Sequence, residues 1–159
     1  LTAGFKKGTK PEGFISQEAI GEFKEYAVSC IDELERGLGE NVFVEYEVNF
    51  TSTGECNVEL LLAPTLNFNS NKGLRYEISF DGEKTQQVNF NEHYRGELGK
   101  WQAEHMIHSA TKHTISKAGK HTLRFRVLDP GIVLQKILID TGGLKFSYLG
   151  APESKMTAE

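Results

Sequence analysis

Positive charge is scarce in this sequence, and it is scattered. The chain has 159 residues, with 18 Lys and Arg against 22 Asp and Glu and a formal net charge of -4. Nucleic-acid-binding domains usually carry a clustered basic face, which this composition does not supply. Long apolar runs are lacking too, since no stretch approaches the roughly 20 residues needed to cross a bilayer. We therefore expect neither a nucleic-acid partner nor a membrane partner.

Cysteine is almost absent. Cys30 and Cys56 can form at most one disulfide, which excludes a disulfide-based framework. They form either that single bridge or two small buried hydrophobic side chains. Internal repeats and low-complexity tracts are absent as well. The length and the 38% of hydrophobic residues predict a single domain over residues 1–159, with its core at about 14–154.

The N-terminus has neither an initiator methionine nor the apolar stretch of a signal peptide. It begins Leu1-Thr2-Ala3-Gly4. We therefore expect a soluble piece of a longer protein. The tail after Glu153 is polar and is expected to fray.

Alternating apolar and polar residues dominate the middle of the chain. Val42–Phe50 alternates throughout, and Cys56–Ala63 alternates before becoming apolar on both faces, where Pro64 ends it. Leu74–Phe80 alternates again, and Asp81-Gly82 is typical of a tight turn into a partner strand over Gln86–Phe90. These patterns predict two hairpins of half-buried strands.

The second half continues the same pattern. Lys112–Ser116 and His121–Leu128 flank a turn in which Gly119 can supply a positive φ. Asp129-Pro130-Gly131 then leads into Ile132–Asp140, a run that is apolar on both parities and so predicts a central strand, and Gly142-Gly143 predicts a turn after it. Short strands without a βαβ rhythm predict an all-β, jelly-roll-like β-sandwich.

The first 40 residues allow two interpretations. Six apolar residues lie close to helical spacing, and Ser16 can cap such a helix at its N-terminus. The alternative is two strands, Phe14–Ala19 and Val28–Leu34, that complete the sandwich. We favour strands because the rest of the chain requires β partners. The apolar residues of the helical alternative are Ile20, Phe23, Ala27, Ile31, Leu34 and Leu38.

Residues that could support catalysis or bind zinc are better explained as surface residues. Glu45 and Glu47 lie two apart, which places both on the outer face of one strand, where solvent accounts for them. His105, His108 and His113 lack a Cys or Asp at ligand spacing, so we expect exposed or core-edge histidines. We predict no catalytic residue and no zinc site.

Two long connections hold the residues best suited to contact a sugar. Thr65–Gly73 is rich in amides, which match sugar hydroxyls, around one aromatic ring that could pack on a pyranose. Asn91–Glu104 adds two aromatic residues, with Arg95 and Lys100 as partners for a uronic acid carboxylate. The alternative is that these amides mark turns and Trp101 plugs the sandwich. The candidates are Asn67, Phe68, Asn69, Asn71, Tyr94, Arg95 and Trp101.

Several blocks resemble the C-terminal domain of glycoside hydrolase family 115. The most specific is the closing run Asp129–Ser154, and the others are Leu62–Phe68, Gly73–Tyr76 with Ser79–Asp81, and Gly119–Leu123. The similarity covers about Val42 to Ser154. Two positions depart from the family pattern: Ile20 stands where a second Glu is expected, and Phe146 replaces a small residue or proline.

The resemblance implies a galactose-binding-domain-like sandwich. It also implies a parent enzyme that removes glucuronic acid, or its 4-O-methyl form, from the α-1,2 branches of xylan. Catalysis in this family belongs to a barrel domain that precedes the C-terminal one, so no catalytic residue is carried over. The expected function is that of a non-catalytic accessory domain, which packs against the catalytic domain of the same polypeptide and supports its architecture or dimerisation. The alternative is a carbohydrate-binding module for glucuronoxylan.

Two further expectations follow from the resemblance. A bacterial, secreted or periplasmic parent is implied. Sandwich modules of this kind can also hold calcium between an opening Glu-Ala strand and a closing Ile-Asp strand, which makes Glu18 and Asp140 weak calcium candidates. Calcium usually takes six to eight oxygen ligands, and the missing acid at Ile20 weakens that site.

Overall fold

The alternating runs form strands close to the predicted positions. The structure is a computed structural model that describes residues 2–4, 14–18, 24–28, 43–67, 73–92 and 106–152. None of the described residues belongs to a helix that could span a membrane. The strands are β1 (Thr2–Gly4), β2 (Phe14–Glu18), β3 (Lys24–Val28), β4 (Phe43–Phe50), β5 (Gly54–Leu62), β6 (Arg75–Phe80), β7 (Gln86–Asn89), β8 (Ile107–Ile115), β9 (Gly119–Val127) and β10 (Val133–Asp140).

These strands form two antiparallel sheets of five strands each. The front sheet has the order β1-β4-β9-β6-β7, and the back sheet has the order β2-β3-β10-β5-β8. In β4, β8 and β9 alternate residues point between the sheets, so the apolar parity is the more buried one and the polar parity faces outward. The predicted all-β sandwich is confirmed.

The N-terminal region forms strands where it is described. β2 confirms the predicted opening strand, whereas β3 begins four residues before the predicted Val28–Leu34, of which residues 29–34 lie outside the described ranges. The helical alternative is wrong over Lys24–Val28. β3 is paired on both sides, with β2 through Phe14 and Val28 and with β10 through Val133 and Ala27, and this tertiary pairing overrides the helical spacing.

The predicted central strand is also confirmed, since β10 lies between β3 and β5. A shift of register between Leu134 and Lys136 explains why its sequence is apolar on both parities. Leu134 belongs to the core before the shift, and Ile137 and Ile139 pack against the core after it. Leu138 therefore faces outward, yet it is only 8% exposed because the backbone at Gly150 covers it.

Aromatic residues of strands β4, β6 and β9 in the front sheet pack together in the core. The rings of Tyr76 and Phe125 lie 5.4 Å apart, and Phe50 packs edge-on against Phe80 at 5.5 Å. The Tyr76 hydroxyl crosses to the back sheet and shares a 2.7 Å hydrogen bond with the buried Ser109 hydroxyl. Burial raises the pKa of Tyr76 to about 12. This polar pair fixes how the two sheets face each other.

Cys56 behaves as a small hydrophobic residue. Its thiol is free, its side chain is 3% exposed within the core, and burial raises the pKa of the thiol. Cys30 lies outside the described residues. The interpretation as a buried hydrophobe is confirmed for Cys56.

One end of the sandwich, which we call the hairpin end, carries the short connections 51–53, 81–85 and 116–118. Asp81 and Gly82 have φ values of 51° and 71°, which confirms the predicted tight turn. The Asp81 carboxylate accepts a hydrogen bond from the Thr122 amide at 2.7 Å and another from His121 Nδ1 at 2.5 Å. His121 Nε2 donates to the Lys117 carbonyl at 2.8 Å.

His121 makes stability depend on pH. Burial lowers the pKa of His121, but the bonds to Asp81 and Lys117 and the charges of Asp81 and Glu83 outweigh burial and raise it above its usual value. Both acceptors are satisfied only by the doubly protonated ring. Because the folded pKa is raised, the stabilisation is full below the unfolded pKa of about 6.5 and is lost as pH rises through the folded pKa.

We expect the His121→Gln variant to lose this stabilisation. The difference in unfolding free energy between wild type and variant should be greatest near pH 5 and should shrink toward pH 8, as measured by urea unfolding. His113 must be kept in both proteins, since burial lowers the pKa of His113 and gives it the opposite pH dependence. A difference that stays constant with pH would contradict the role assigned to His121.

Candidate functional site

The two long connections with the sugar-contact candidates begin and end at the same end of the sandwich, which we call the loop end. β5 and β8 pair antiparallel, so Leu62 at the end of β5 lies opposite Ile107 at the start of β8. In the front sheet, Arg75 at the start of β6 lies opposite Asn89 at the end of β7. The antiparallel register thus brings the described ends of both connections, residues 63–67, 73–74, 90–92 and 106, to one end of the sandwich.

Asn91 ties these two connections together. Its Oδ1 accepts a 2.7 Å hydrogen bond from the backbone amide of Leu74, and its Nδ2 donates to the carbonyl of Thr65 at 3.4 Å. The backbone amide of Asn91 in turn donates to Asn89 Oδ1 at 3.2 Å. One amide side chain therefore holds both ends of the first connection against the start of the second.

Gly73 makes this close approach possible. Its φ is +73°, and a Cβ at this position would lie 2.2 Å from Asn89 Oδ1. Its neighbour Leu74 and the facing Phe90 are both fully buried, and the Phe90 amide donates to the Leu74 carbonyl at 3.2 Å. The base of the loop end is thus a packed and hydrogen-bonded layer.

A third connection, residues 128–132, is fixed to the same end by a buried ion pair. Asp129 is 5% exposed, and its carboxylate accepts bonds from Arg75 Nε at 2.7 Å, Arg75 Nη2 at 3.0 Å and the Arg75 backbone amide at 2.8 Å. The amides of Leu128 and Asp129 donate back to the Arg75 carbonyl. The hydrogen bond to Asp129 raises the pKa of Arg75. This bidentate contact fixes the orientation of the Arg75 guanidinium and pairs its charge with the Asp129 carboxylate.

Sequence reasoning did not identify Asn91 and Asp129 as organising residues. Asn91 was only the first residue of a long connection, and Asp129 was only the start of a turn. A loop asparagine or an aspartate before Pro-Gly ordinarily marks a turn. No local signal points to Leu74, Thr65 or Arg75 as their partners.

The predicted sugar-contact residues are only partly described. Asn67 lies in the first connection, next to Leu66, whose side chain is 45% exposed. The other six candidates, Phe68, Asn69, Asn71, Tyr94, Arg95 and Trp101, lie outside the described residues, as does Lys100. Their contact with sugar stays a prediction. Asn91 joins the bases of the two connections that carry these candidates.

The weak calcium candidates lie in different parts of the back sheet. Glu18 pairs with Lys24 at the end of β2, and Asp140 pairs with Asn57 at the end of β10. Asp140 Oδ1 accepts bonds from the amides of Gly142 and Leu144 and so caps the predicted Gly-Gly turn. Within the described ranges there is no cluster of three or more His, Cys, Asp or Glu suited to a metal. Calcium binding stays a prediction.

The described residues considered for catalysis and zinc lie within strands β4 and β8, and His108 directly follows Ile107 at the loop end. Glu45 pairs with Arg124 at 2.6 Å and Glu47 with Lys120 at 2.8 Å, on the outer face of the front sheet as predicted. His108 donates to Glu59 at 2.8 Å, whereas His113 bonds the Thr111 hydroxyl at 2.9 Å. His105 lies outside the described residues. The two glutamates and His108 thus lie on outer sheet faces, whereas His113 lies at the edge of the core, where its ring packs edge-on against Phe80 at 5.2 Å.

The fold defines a class of protein: a two-sheet antiparallel β-sandwich of the kind also found in carbohydrate-binding modules. Within that class, the chain belongs to the glycosyl hydrolase family 115 C-terminal domain, whose family model matches residues 8–153. The resemblance seen in the sequence is thereby confirmed. No curated protein matches the chain.

Solved structures support the same assignment of fold. BtGH115A, described as a family GH115 4-O-methyl-alpha-glucuronidase with specificity for decorated arabinogalactans, superposes with a TM-score of 0.60 at 16% identity, over 76% of this chain and 14% of that chain. A carbohydrate-binding module of Cellvibrio mixtus lichenase 5A, solved with cellotriose, gives a TM-score of 0.52 at 18% identity, over 85% of this chain and 92% of the module. The family 35 module from Paenibacillus barcinonensis gives 0.52 at 16% identity, over 86% and 94% of the two chains.

The two kinds of neighbour differ in how much of their length this chain matches. It spans nearly all of each single-domain module but only 14% of the length of BtGH115A. At these identities the likeness shows the fold alone. The family assignment rests on the match over residues 8–153.

Proposed function

We propose that this chain is a non-catalytic accessory domain of a xylan α-1,2-glucuronidase, and that it packs against the catalytic domain of the same polypeptide and supports its architecture. The observation that carries the proposal is the family match itself, which covers residues 8–153 with a family defined as a C-terminal domain. A polysaccharide substrate is met outside the cytoplasm, so a secreted or periplasmic parent goes with this function.

The proposal is tested by assaying the 159-residue chain on glucuronoxylan and on aldouronic acids. We expect no release of glucuronic acid by this chain. In the parent enzyme, deletion of the domain should speed thermal inactivation, because the surface that the domain covers would be exposed. Release of glucuronic acid by the isolated chain would overturn the non-catalytic assignment.

A second candidate function is carbohydrate binding at the loop end. The specific observation in its favour is that Asn91 joins the two connections that carry the amide and aromatic candidates. Fixed loop bases lower the entropy lost when a ligand orders a loop. The chemistry of the candidate residues suits a uronic acid sugar: aromatic side chains can stack on the C–H face of a pyranose, amides can bond its hydroxyls, and Arg95 can pair with its carboxylate.

Titration of the isolated chain with aldouronic acids by calorimetry tests this second function. We expect saturable binding, and Trp101→Ala should weaken it roughly tenfold through the loss of one stacking contact. Asn67→Ala should weaken it by less. Phe146→Ala is the matched control, because it removes an exposed aromatic side chain that belongs to neither long connection and lies beside His108 on the outer face of the back sheet. No binding at millimolar ligand, or unchanged affinity in both loop variants, would remove the carbohydrate-binding function.

A further inference from the structure

The segment that follows β10 returns across the outer face of the back sheet. This segment, residues 141–152, is called the strap here. It leaves β10 through the turn capped by Asp140, and the Phe146 ring lies 5.6 Å from the ring of His108 in β8. It then returns to β10, where the backbone at Gly150 packs against Leu138. The strap thus crosses β10, β5 and β8.

The strap is held in one backbone conformation. Lys136 Nζ donates to the carbonyls of Leu149 at 3.1 Å and Ala151 at 2.8 Å. Ser147 and Gly150 close a turn in the strap. The Ser147 hydroxyl donates to the Gly150 carbonyl at 2.8 Å, and the Ser147 carbonyl accepts from the Gly150 amide at 3.0 Å. A segment fixed in this way presents its side chains in a set geometry.

Those side chains are apolar and face water. Of the five large hydrophobic side chains that are exposed in the described ranges, four lie in six consecutive residues of the strap. A scattered exposed hydrophobe is ordinary, whereas a contiguous group marks a surface that is covered in the working protein. The four are Leu144 at 39%, Phe146 at 81%, Tyr148 at 49% and Leu149 at 51% exposed.

The composition of this group fits a protein partner better than a sugar. Two leucines lie among the aromatic residues, and leucine offers neither a flat face for a pyranose ring nor a polar group for its hydroxyls. The carbonyls of Leu149 and Ala151 are already bonded to Lys136. An apolar group with aromatic residues is typical of the core of a protein–protein interface.

We propose that the strap is the surface through which this domain docks on the part of its polypeptide that precedes it. The inference rests on the proposed accessory function, and it names the contact surface. Most of a polypeptide of the BtGH115A kind lies outside this fold, since the present chain matches only 14% of that chain. A neighbour of that size on the same polypeptide is held at high effective concentration and can cover an exposed apolar face. Phe146, where the sequence departs from the family pattern, is the most exposed of the four.

Hydroxyl-radical footprinting tests the proposal by comparing the isolated chain with the full-length protein. Phe146 and Tyr148 should be labelled strongly in the isolated chain and roughly fivefold or more slowly in the full-length protein, because the rate follows exposed area. The double variant Phe146→Ser, Tyr148→Ser should lower the melting temperature of the full-length protein. The single variant Phe146→Leu keeps an apolar side chain and should retain most of the wild-type melting temperature. Lys117→Ser, in a turn at the hairpin end, is the control and should leave that temperature unchanged.

The outcomes separate this inference from the proposed function. Protection on another face with an unprotected strap would overturn the inference and leave the accessory function standing. No protection anywhere would overturn both. Strap protection that disappears on dilution would assign the surface to a second copy, and protection of the isolated chain by aldouronic acids would assign it to sugar. Either of these results would overturn the docking proposal.

Discussion

Replacing Asp129 with alanine is expected to destabilise the domain by about 2–3 kcal/mol, because it removes charge-assisted hydrogen bonds to Arg75 and leaves a backbone amide without its partner. The Asp129 carboxylate accepts three bonds from Arg75, two from the guanidinium and one from the backbone amide. Without it, the Arg75 guanidinium, which is 28% exposed, would turn to water, but the backbone amide would lose its partner inside the sheet end. Urea unfolding followed by tryptophan fluorescence would measure the change.

Two variants make this expectation specific. Asp129→Asn keeps one acceptor oxygen and should cost less than the alanine substitution. Glu47→Ala removes a carboxylate from an exposed pair with Lys120, whose side chain is 63% exposed, and should change stability by less than about 1 kcal/mol. If Asp129→Ala were no more destabilising than Glu47→Ala, the Arg75–Asp129 pair would not organise the third connection.

Replacing Gly73 with alanine is expected to cost about 2–4 kcal/mol. A positive φ costs an L residue about 1–2 kcal/mol, and the new methyl group would displace the Asn89 amide, which would then lose its bond to Asn91. The same change should loosen both long connections, because Asn91 holds their bases. Thermal unfolding measures the first effect, and amide hydrogen exchange at Leu74 and Asn91 measures the second.

Gly82→Ala is the matched control for Gly73→Ala. Gly82 has a φ of +71°, but a Cβ there would meet no atom within 4 Å. It carries the same conformational cost without the collision, so its effect should be about 1 kcal/mol and confined to the hairpin end. Equal effects for the two substitutions would show that Asn89 yields without cost and that Gly73 is not needed for the close approach.

Most of the fold was predictable from local patterns. β4, β6 and β9 follow the alternation of their sequences, and the turns at Asp81-Gly82, Gly119 and Gly142-Gly143 have the positive φ values that their residue types suggested. The ambiguous region was the N-terminus, where strands were favoured but the spacing of Ile20, Phe23 and Ala27 also suits a helix. Its strand conformation at Lys24–Val28 depends on pairing with β10, more than 100 residues later in the chain.

The candidate site was less predictable, because its organising contacts join distant parts of the chain. Amides and aromatic residues in two loops suggested a sugar surface, but nothing local indicated that Asn91 would bond Leu74, 17 residues away, and Thr65, 26 residues away. Leu138 shows the same limitation. Leu138 is buried on the outer face because the strap crosses it, and the alternation of β10 does not indicate that contact.

The sequence by itself determined the class of this protein. The period-two alternation specifies strands, the turn residues separate them, and the closing blocks indicate the family that the match over residues 8–153 confirms. Only the tertiary structure decided how the strand ends are joined and which apolar residues stay in water. The Arg75–Asp129 pair spans 54 residues, and the exposure of Phe146 depends on where the strap crosses the back sheet. Alternation and turn chemistry act over a few neighbouring residues, whereas these contacts exist only once both sheets have formed.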